Sequence, residues 1–378
     1  MTLRIAFIAH TKDPQRFLQD PAFIYRCENP ALVLQAQGHH VDLLHYTQFP
    51  SVIHNLVRRQ KRYDLVVFHR PRWRFGFATL VNALRRQGSV CVADFDDLVF
   101  DTDYVAVSPG VVNQLVSPEQ TKINFLRHQR ALLCFNQPQC AITVSTTPLV
   151  DKVQALMAKH QQPKANVSLA FNSVHWHWRQ VEKDVSRATP SNRPLLTYFP
   201  GTRSHDRDFA LIIPALAEIL AAEPEWQLQI TGVLHDETKQ SLLHQMQTTN
   251  ANLAQVQFTP KQPFAQYRQH VARSWVNLAP LESNEFNRHK SALKAIEASF
   301  FGAITVATAI PDMLRLTDSG ALLVPDQNDV TSEVWSSAIR AAMLNAPQAD
   351  LRQHNLNHYK VEQHAQQLLT IAAQGHSA

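Results

Sequence analysis

Short apolar runs, each followed by a polar turn and a helix-forming stretch, recur along this chain in two series, and that alternation leaves few folds open. The first series is Leu3 to Ala9 (LRIAFIA), Val41 to Leu44, Asp64 to Phe68, Val90 to Ala93 and Cys140 to Val144, closed by Asn166 to Ala170. Runs this uniformly apolar are strands buried on both faces, the pattern of a parallel sheet covered by helices. A second series starts at Leu195 to Phe199. It continues through Trp226 to Thr231, a strand near Val256, Trp275 to Ala279, Ala303 to Thr308 and Gly320 to Val324. The expected fold class is α/β, with two similar parallel-sheet halves followed by C-terminal helices.

Helices are expected over Asn29 to Gln37, Ser51 to Lys61, Gly76 to Gln87, Ser117 to Asn136, Pro148 to Lys159 and Asp208 to Ala222. The tail from Ser332 to Ala373 also reads as helix, broken at Pro347. Ser186 to Pro194 is poor in apolar residues and holds two prolines, which marks a linker. The expected domains are therefore 1–185 and 195–346, joined by 186–194. A C-terminal helical segment, 347–378, is free to pack back on the first domain.

Composition narrows the function. At 378 residues with 45% hydrophobic and 18% charged residues, the chain can build sizeable cores. Its net charge of +5 fits anionic small ligands or an anionic membrane surface and is too mild for a dedicated nucleic-acid binder, so no nucleic-acid partner is expected. Cys27, Cys91, Cys134 and Cys140 show no CxxC spacing, and the first residues lack the pattern of a signal peptide. A cytoplasmic protein, with peripheral contact at the inner face of a membrane as an option, is the expectation.

In an α/β sheet the functional residues lie beyond the carboxyl ends of the strands. Lys290, Lys294 and Glu297 are spaced i, i+4, i+7, which on a helix puts them on one face over ~10 Å, suited to a diphosphate and a ribose. The amino end of that helix would add N–H groups for the phosphates. The plain alternative is a solvated face with a Lys294–Glu297 ion pair. After the strand at 195–199, Gly201 permits close backbone approach, Thr202 and Ser204 offer hydroxyls, and Arg203 and Arg207 offer guanidinium forks for an anion. An ordinary turn with Ser204 or Asp206 as helix cap fits the same residues.

In the first half, Asp94-Phe95-Asp96-Asp97 follows a strand. The DxD admits metal binding, a phosphatase nucleophile, helix capping, or metal-free contact with a substrate hydroxyl. His69 and Arg70 end the preceding strand and His10 ends the first, each with a structural role as the alternative. Arg58, Arg59, Lys61, Arg62, Arg70, Arg72, Arg74, Arg85 and Arg86 nearly exclude acids and enclose Trp73 and Phe75. That pattern suits an anionic membrane surface or a solvated basic face.

With those residues placed, the chain resembles bacterial GT-B glycosyltransferases, similar to the family-4 type (glycosyl transferases group 1) of cell-wall and surface-polysaccharide assembly. The resemblance rests on Phe68 to Pro71 (FHRP), Asp94 to Asp101 (DFDDLVFD), Ile142 to Thr146 (ITVST), Tyr198 to Phe209 (YFPGTRSHDRDF) and Asn277 to Gly302. It implies two Rossmann-like domains facing across a cleft, with the nucleotide sugar mainly on the C-terminal domain. Of the family's glutamate pair, separated by seven residues, the later member matches Glu297, expected at the ribose, and the earlier falls on His289. Arg203 and Lys290 match the basic pair for the diphosphate, with Lys294 a second candidate. Acceptor-side residues would include His10, His69, Asp96 and Asp97.

The implied activity is transfer of a sugar from a nucleotide-sugar donor to a glycan or lipid-linked acceptor. The resemblance implies retention of configuration and no metal or other cofactor. Lys290, Arg203, Asp96 and His69 are the expected catalytic residues, and Gly201, Thr202, Arg203, Arg207, His289, Lys290, Lys294 and Glu297 the expected donor-binding residues. A non-catalytic subunit of the same fold, motivated by His289, is the alternative, with an aspartate-dependent phosphatase behind it.

Overall fold

The computed structural model describes residues 2–48, 63–162, 165–181 and 193–377. The cation-rich stretch 51–61 and residues 186–192 of the expected linker lie outside the described residues. By internal contacts the chain divides into one unit of 1–105, 118–177 and 360–378, and a second of 106–117 and 178–359.

Each unit is built on a six-stranded parallel sheet. In the first unit, β1 (Arg4–Ala9), β2 (His40–His45), β3 (Leu65–His69), β4 (Val90–Phe95), β5 (Cys140–Val144) and β6 (Val167–Leu169) lie in the order β2-β1-β3-β4-β5-β6. Every residue of β3, β4 and β5 is buried, as their unbroken apolar runs require. The strand order reverses between β1 and β3. His10, His69 and Asp94 therefore gather at the carboxyl edge beside this switch point, where α/β proteins place ligands.

In the second unit, β7 (Leu195–Tyr198), β8 (Gln227–Thr231), β9 (Val256–Thr259), β10 (Val276–Ala279), β11 (Ile304–Thr308) and β12 (Ala321–Val324) run in the order β12-β11-β10-β7-β8-β9. The reversal falls between β7 and β10. Adjacent to it are the turn after β7, with Gly201 to Arg207, and the loop after β10, with Glu282 to Lys290. Gly232, after β8, has φ +150°, and a Cβ there would lie 1.9 Å from the Pro200 carbonyl oxygen. The residue after β8 must be glycine for the β7 turn to keep its path.

Two expected helices change on folding. The stretch expected as one helix from Asp208 to Ala222 is divided into Asp206–Ala210 and Ile213–Ala222, with Pro214 in the first turn of the second piece. The C-terminal tail forms three helices, Ser332–Asn345, Ala349–His358 and Val361–Ser377. Its second break falls at Tyr359, whose hydroxyl pairs with Ser319 Oγ at 2.6 Å. The 349–358 helix packs on the Leu293–Phe300 helix of the second unit, where Asn355 donates to the Ile296 carbonyl at 2.7 Å. The last helix belongs to the first unit: Val361, Ala365, Leu368, Ile371 and Ala372 join the core around β1, β3 and β4. That spacing, i, i+4, i+7, i+10 and i+11, is one helical stripe, buried against the 29–36 helix and β4.

Candidate active site

The largest local correction concerns Lys290. The helix bearing Glu297 starts at Leu293, and Lys290 precedes it in extended conformation after a short 3-10 turn, Asn287–His289. Lys290, Lys294 and Glu297 therefore do not share one helical face. The amino end of the helix is also partly occupied, because Ala292 N–H donates to the Asp312 carboxylate at 2.7 Å and Arg315 holds that carboxylate at 2.6 Å. A carboxylate of the chain itself meets the helix dipole where phosphates were expected.

Side chains distinguish the four cations that the sequence singled out. Arg207 is paired, donating from Nε to Glu282 at 2.8 Å with a second guanidinium nitrogen at 2.7 Å. Lys294 is engaged too: its ammonium donates to the Tyr267 hydroxyl at 2.7 Å and lies 3.5 Å from Glu297, while Tyr267 donates to Glu297 at 2.8 Å. Lys290 and Arg203 have no carboxylate within ion-pair distance among the described residues. Lys290 instead lies 5.4 Å above the Phe286 ring, half-buried, and Arg203 is exposed beside Gly201 and Thr202.

The loop that carries Lys290 is held from below by a residue the sequence reading passed over. Buried Asp208 accepts from Glu282 N–H at 2.8 Å and from the Asn287 amide at 3.5 Å, and pairs with His205 at 2.9 Å. The loop after β10 is thus fixed to the turn after β7. His289 is buried, with Nδ1 directed at the Glu285 carbonyl at 2.7 Å. Thr202 is exposed and its hydroxyl pairs with Ser204 at 2.6 Å.

Glu297, 1% exposed, is a buried carboxylate held by Tyr267, while the Lys294 side chain at the other end of the Lys294–Tyr267–Glu297 chain is 40% exposed. Burial and the Glu297 charge both raise the Tyr267 phenol, so it remains the donor in this chain. Tyr267→Phe removes a hydrogen bond to a charged group. It is expected to lower stability by about 2 kcal/mol in urea unfolding, with Lys294→Met milder because its side chain is 40% exposed.

In the first unit, Asp94 is fully buried in a network the sequence did not reveal. Arg26, also fully buried, donates to both of its carboxylate oxygens at 2.5 and 3.1 Å, Thr143 donates at 2.8 Å, and His69 Nδ1 lies at 3.1 Å. Asp96 accepts from Arg70 at 2.5 Å, with Arg70 held at φ +43°. The arginines keep both carboxyls below the usual carboxylate range despite burial. A buried carboxylate as fully paired as Asp94 is poorly suited to be a phosphatase nucleophile or metal ligand. Among the described residues no group of three or more His, Cys, Asp or Glu is arranged to hold a metal ion. His69 Nε2 and His10 Nδ1 are buried without a hydrogen-bond partner among the described residues.

Two parallel α/β units of this topology, with basic residues at the carboxyl edge of the second sheet, define a GT-B type of protein. Solved structures share the fold over nearly the full chain. A glycosyltransferase from Rickettsia africae ESF-5 matches with TM-score 0.63 and 11% identity, covering 99% of this chain and 98% of its own. Anabaena Alr3699/HepE in complex with UDP-glucose matches with TM-score 0.59 and 13% identity over 98% and 99%. WaaG, a glycosyltransferase involved in lipopolysaccharide biosynthesis, matches with TM-score 0.58 and 14% identity over 99% and 98%. No curated protein sequence matches the chain. Residues 194–343 match the family model described as glycosyl transferases group 1. That match lies within the second unit, while the fold shared with these glycosyltransferases extends over nearly the whole chain.

Proposed function

We propose that the protein transfers a sugar from a nucleoside-diphosphate sugar to a glycan or lipid-linked acceptor, with retained configuration, in the synthesis of a cell-surface polysaccharide. The observation that carries the reading is the pair of cations without carboxylates, Lys290 and Arg203, on the two loops that flank the switch point of the second sheet. Two cations that the fold leaves unneutralised at a ligand edge suit a diphosphate, whose charge grows as it departs. Glu297, buried behind Tyr267, orients the Lys294 ammonium, and buried His289 braces the loop that carries Lys290. UDP-glucose bound in the Anabaena relative and the lipopolysaccharide role of WaaG support the donor and product classes.

Mechanistically, Lys290 and Arg203 stabilise the leaving diphosphate while the acceptor hydroxyl attacks the anomeric carbon from the face the diphosphate leaves. The attacking hydroxyl gives its proton to a leaving phosphate oxygen, so no enzyme base is required. The paired Asp94 and Asp96 then serve as supports for the acceptor side, and the reaction proceeds without a metal. No helix among the described residues is long and apolar enough to cross a membrane. The exposed Phe75 with Arg72 and Arg74 fits peripheral contact with an anionic bilayer.

Titration with UDP, GDP and their glucose conjugates tests the donor assignment. Binding of at least one, with a raised melting temperature, is the expected result. NMR of the product with that donor should show the anomeric configuration of the donor. Absence of nucleotide binding across the panel overturns the enzymatic reading in favour of a non-catalytic subunit, and an inverted product overturns retention alone.

A further inference from the structure

The first unit concentrates positive charge at the carboxyl edge of its sheet, beyond what its acids neutralise. Arg70 is held by Asp96 at 2.5 Å and Asp97 at 3.8 Å. Arg72, Arg74 and Arg127 have no carboxylate within ion-pair distance among the described residues. Arg72 is half-buried, and the hydrogen bond it makes there runs from Nε to His128 Nε2 at 3.2 Å. A guanidinium has five N–H donors, so its outer fork is left for an acceptor from outside the fold. His128 is fixed as that acceptor because its Nδ1–H is directed at the Pro71 carbonyl at 2.8 Å.

Arg74 and His10 meet on Tyr46. The Arg74 guanidinium lies 3.9 Å from the Tyr46 ring centre, and the His10 ring stacks on Tyr46 at 5.3 Å with planes 8° apart. His10 is 5% exposed, and its Nδ1 has no hydrogen-bond partner among the described residues, a buried polar atom at the same edge. Burial and the neighbouring Arg74 and Arg72 charges lower the His10 pKa to about 3, so the ring is neutral and keeps one N–H donor. Burial, and then the neighbouring Arg70, Arg74 and Arg127 charges, lower Arg72 as well.

We infer that this edge of the first unit is an oxyanion site that takes a phosphate group of the acceptor, held by the Arg72 fork, Arg74 and the His10 ring. Two cations and a neutral donor match a phosphate better than a single carboxylate, which one guanidinium would satisfy. The phosphate comes either from a lipid-linked acceptor or from a soluble sugar or glycerol phosphate. Phe75, fully exposed beside Arg74, offers apolar contact to the first. This inference rests on the glycosyl-transfer reading for the role of the bound group, while the binding site itself does not.

Isothermal titration of the full chain with farnesyl phosphate in neutral micelles, sn-glycerol 3-phosphate, farnesol in the same micelles and glucuronate tests it. UDP is titrated in parallel. Phosphate-bearing probes should bind, the non-phosphate probes at least tenfold more weakly, and Arg74→Glu should weaken the phosphate probes at least tenfold while UDP affinity is unchanged. Because Arg74 is exposed, that variant keeps the fold where Arg72→Ala, which strands His128, is more disruptive. Binding of farnesyl phosphate alone supports the site and assigns its source to lipid, and binding of glycerol phosphate assigns it to a soluble phosphate. Equal binding of glucuronate or farnesol, no binding of either phosphate probe, or indifference to Arg74→Glu overturns the inference. UDP binding without phosphate binding leaves the donor reading intact, whereas the reverse result defeats the donor reading and keeps the site.

Discussion

Lys290→Ala is expected to reduce kcat/KM about 10²–10³-fold while leaving urea stability within ~0.5 kcal/mol of the parent protein. The two halves of that expectation have one cause. Lys290 makes no ion pair among the described residues, so folding loses little when it is shortened. In the proposed reaction, the diphosphate leaving group loses the cation that would meet its developing charge. Arg203→Ala should behave similarly, since Arg203 is exposed and without a carboxylate at ion-pair distance. Arg207→Ala should be milder on turnover, because Glu282 already claims that guanidinium. Steady-state kinetics with a verified donor, beside urea titrations of each variant, make the check. Unchanged turnover in Lys290→Ala would remove Lys290 from the reaction.

Arg26→Met is expected to have the opposite profile, a loss of about 3–5 kcal/mol of stability. It leaves Asp94 fully buried with His69 and Thr143 but without the guanidinium that donated to both of its oxygens. The pair is not a large net stabiliser as such, since both ions gave up water to form it. What is costly is one charge remaining alone. Arg26→Met with Asp94→Leu should therefore recover much of the single-variant loss, and urea unfolding of the first unit followed by hydrogen exchange of β4 measures both. Acid narrows the difference. Asp94 titrates below the usual carboxylate range in the parent, so its stabilisation is present at neutral pH and lost as the pH falls through that lowered value. In the variant the carboxyl protonates more readily, and acid relieves its stranded charge.

Strand positions could be anticipated well because apolar runs buried on both faces suit a covered parallel sheet, whereas the order of the strands came only with the fold. Helix boundaries were less legible where a loop competed for the same residues. Lys290, Lys294 and Glu297 kept a helical spacing in the sequence, yet Asp208 and Asn287 shape the loop through Glu282 and Ala292 N–H is capped by Asp312, so the helix begins three residues after Lys290. None of those partners is near Lys290 in sequence except Asn287, and spacing alone carries no information about them. Arg26 was invisible for the same reason: it lies 68 residues from Asp94 and in an otherwise apolar helical stretch. A lone arginine among Ile24, Tyr25 and Cys27 is the signal that was there to read.

The sequence by itself determined that the chain would form two α/β sheets with ligand loops at their carboxyl edges, because burial periodicity and turn residues are local properties. It also singled out Arg203, Arg207, Lys290 and Lys294 as candidate cations for an anionic ligand. Only the tertiary structure decided which of them would remain unpaired. Arg207 found Glu282 75 residues away and Lys294 found Tyr267 27 residues away, while Lys290 and Arg203 found no carboxylate among the described residues. Charge neutralisation acts across a few ångströms of space, and those distances are set by the sheet that brings β7 and β10 side by side.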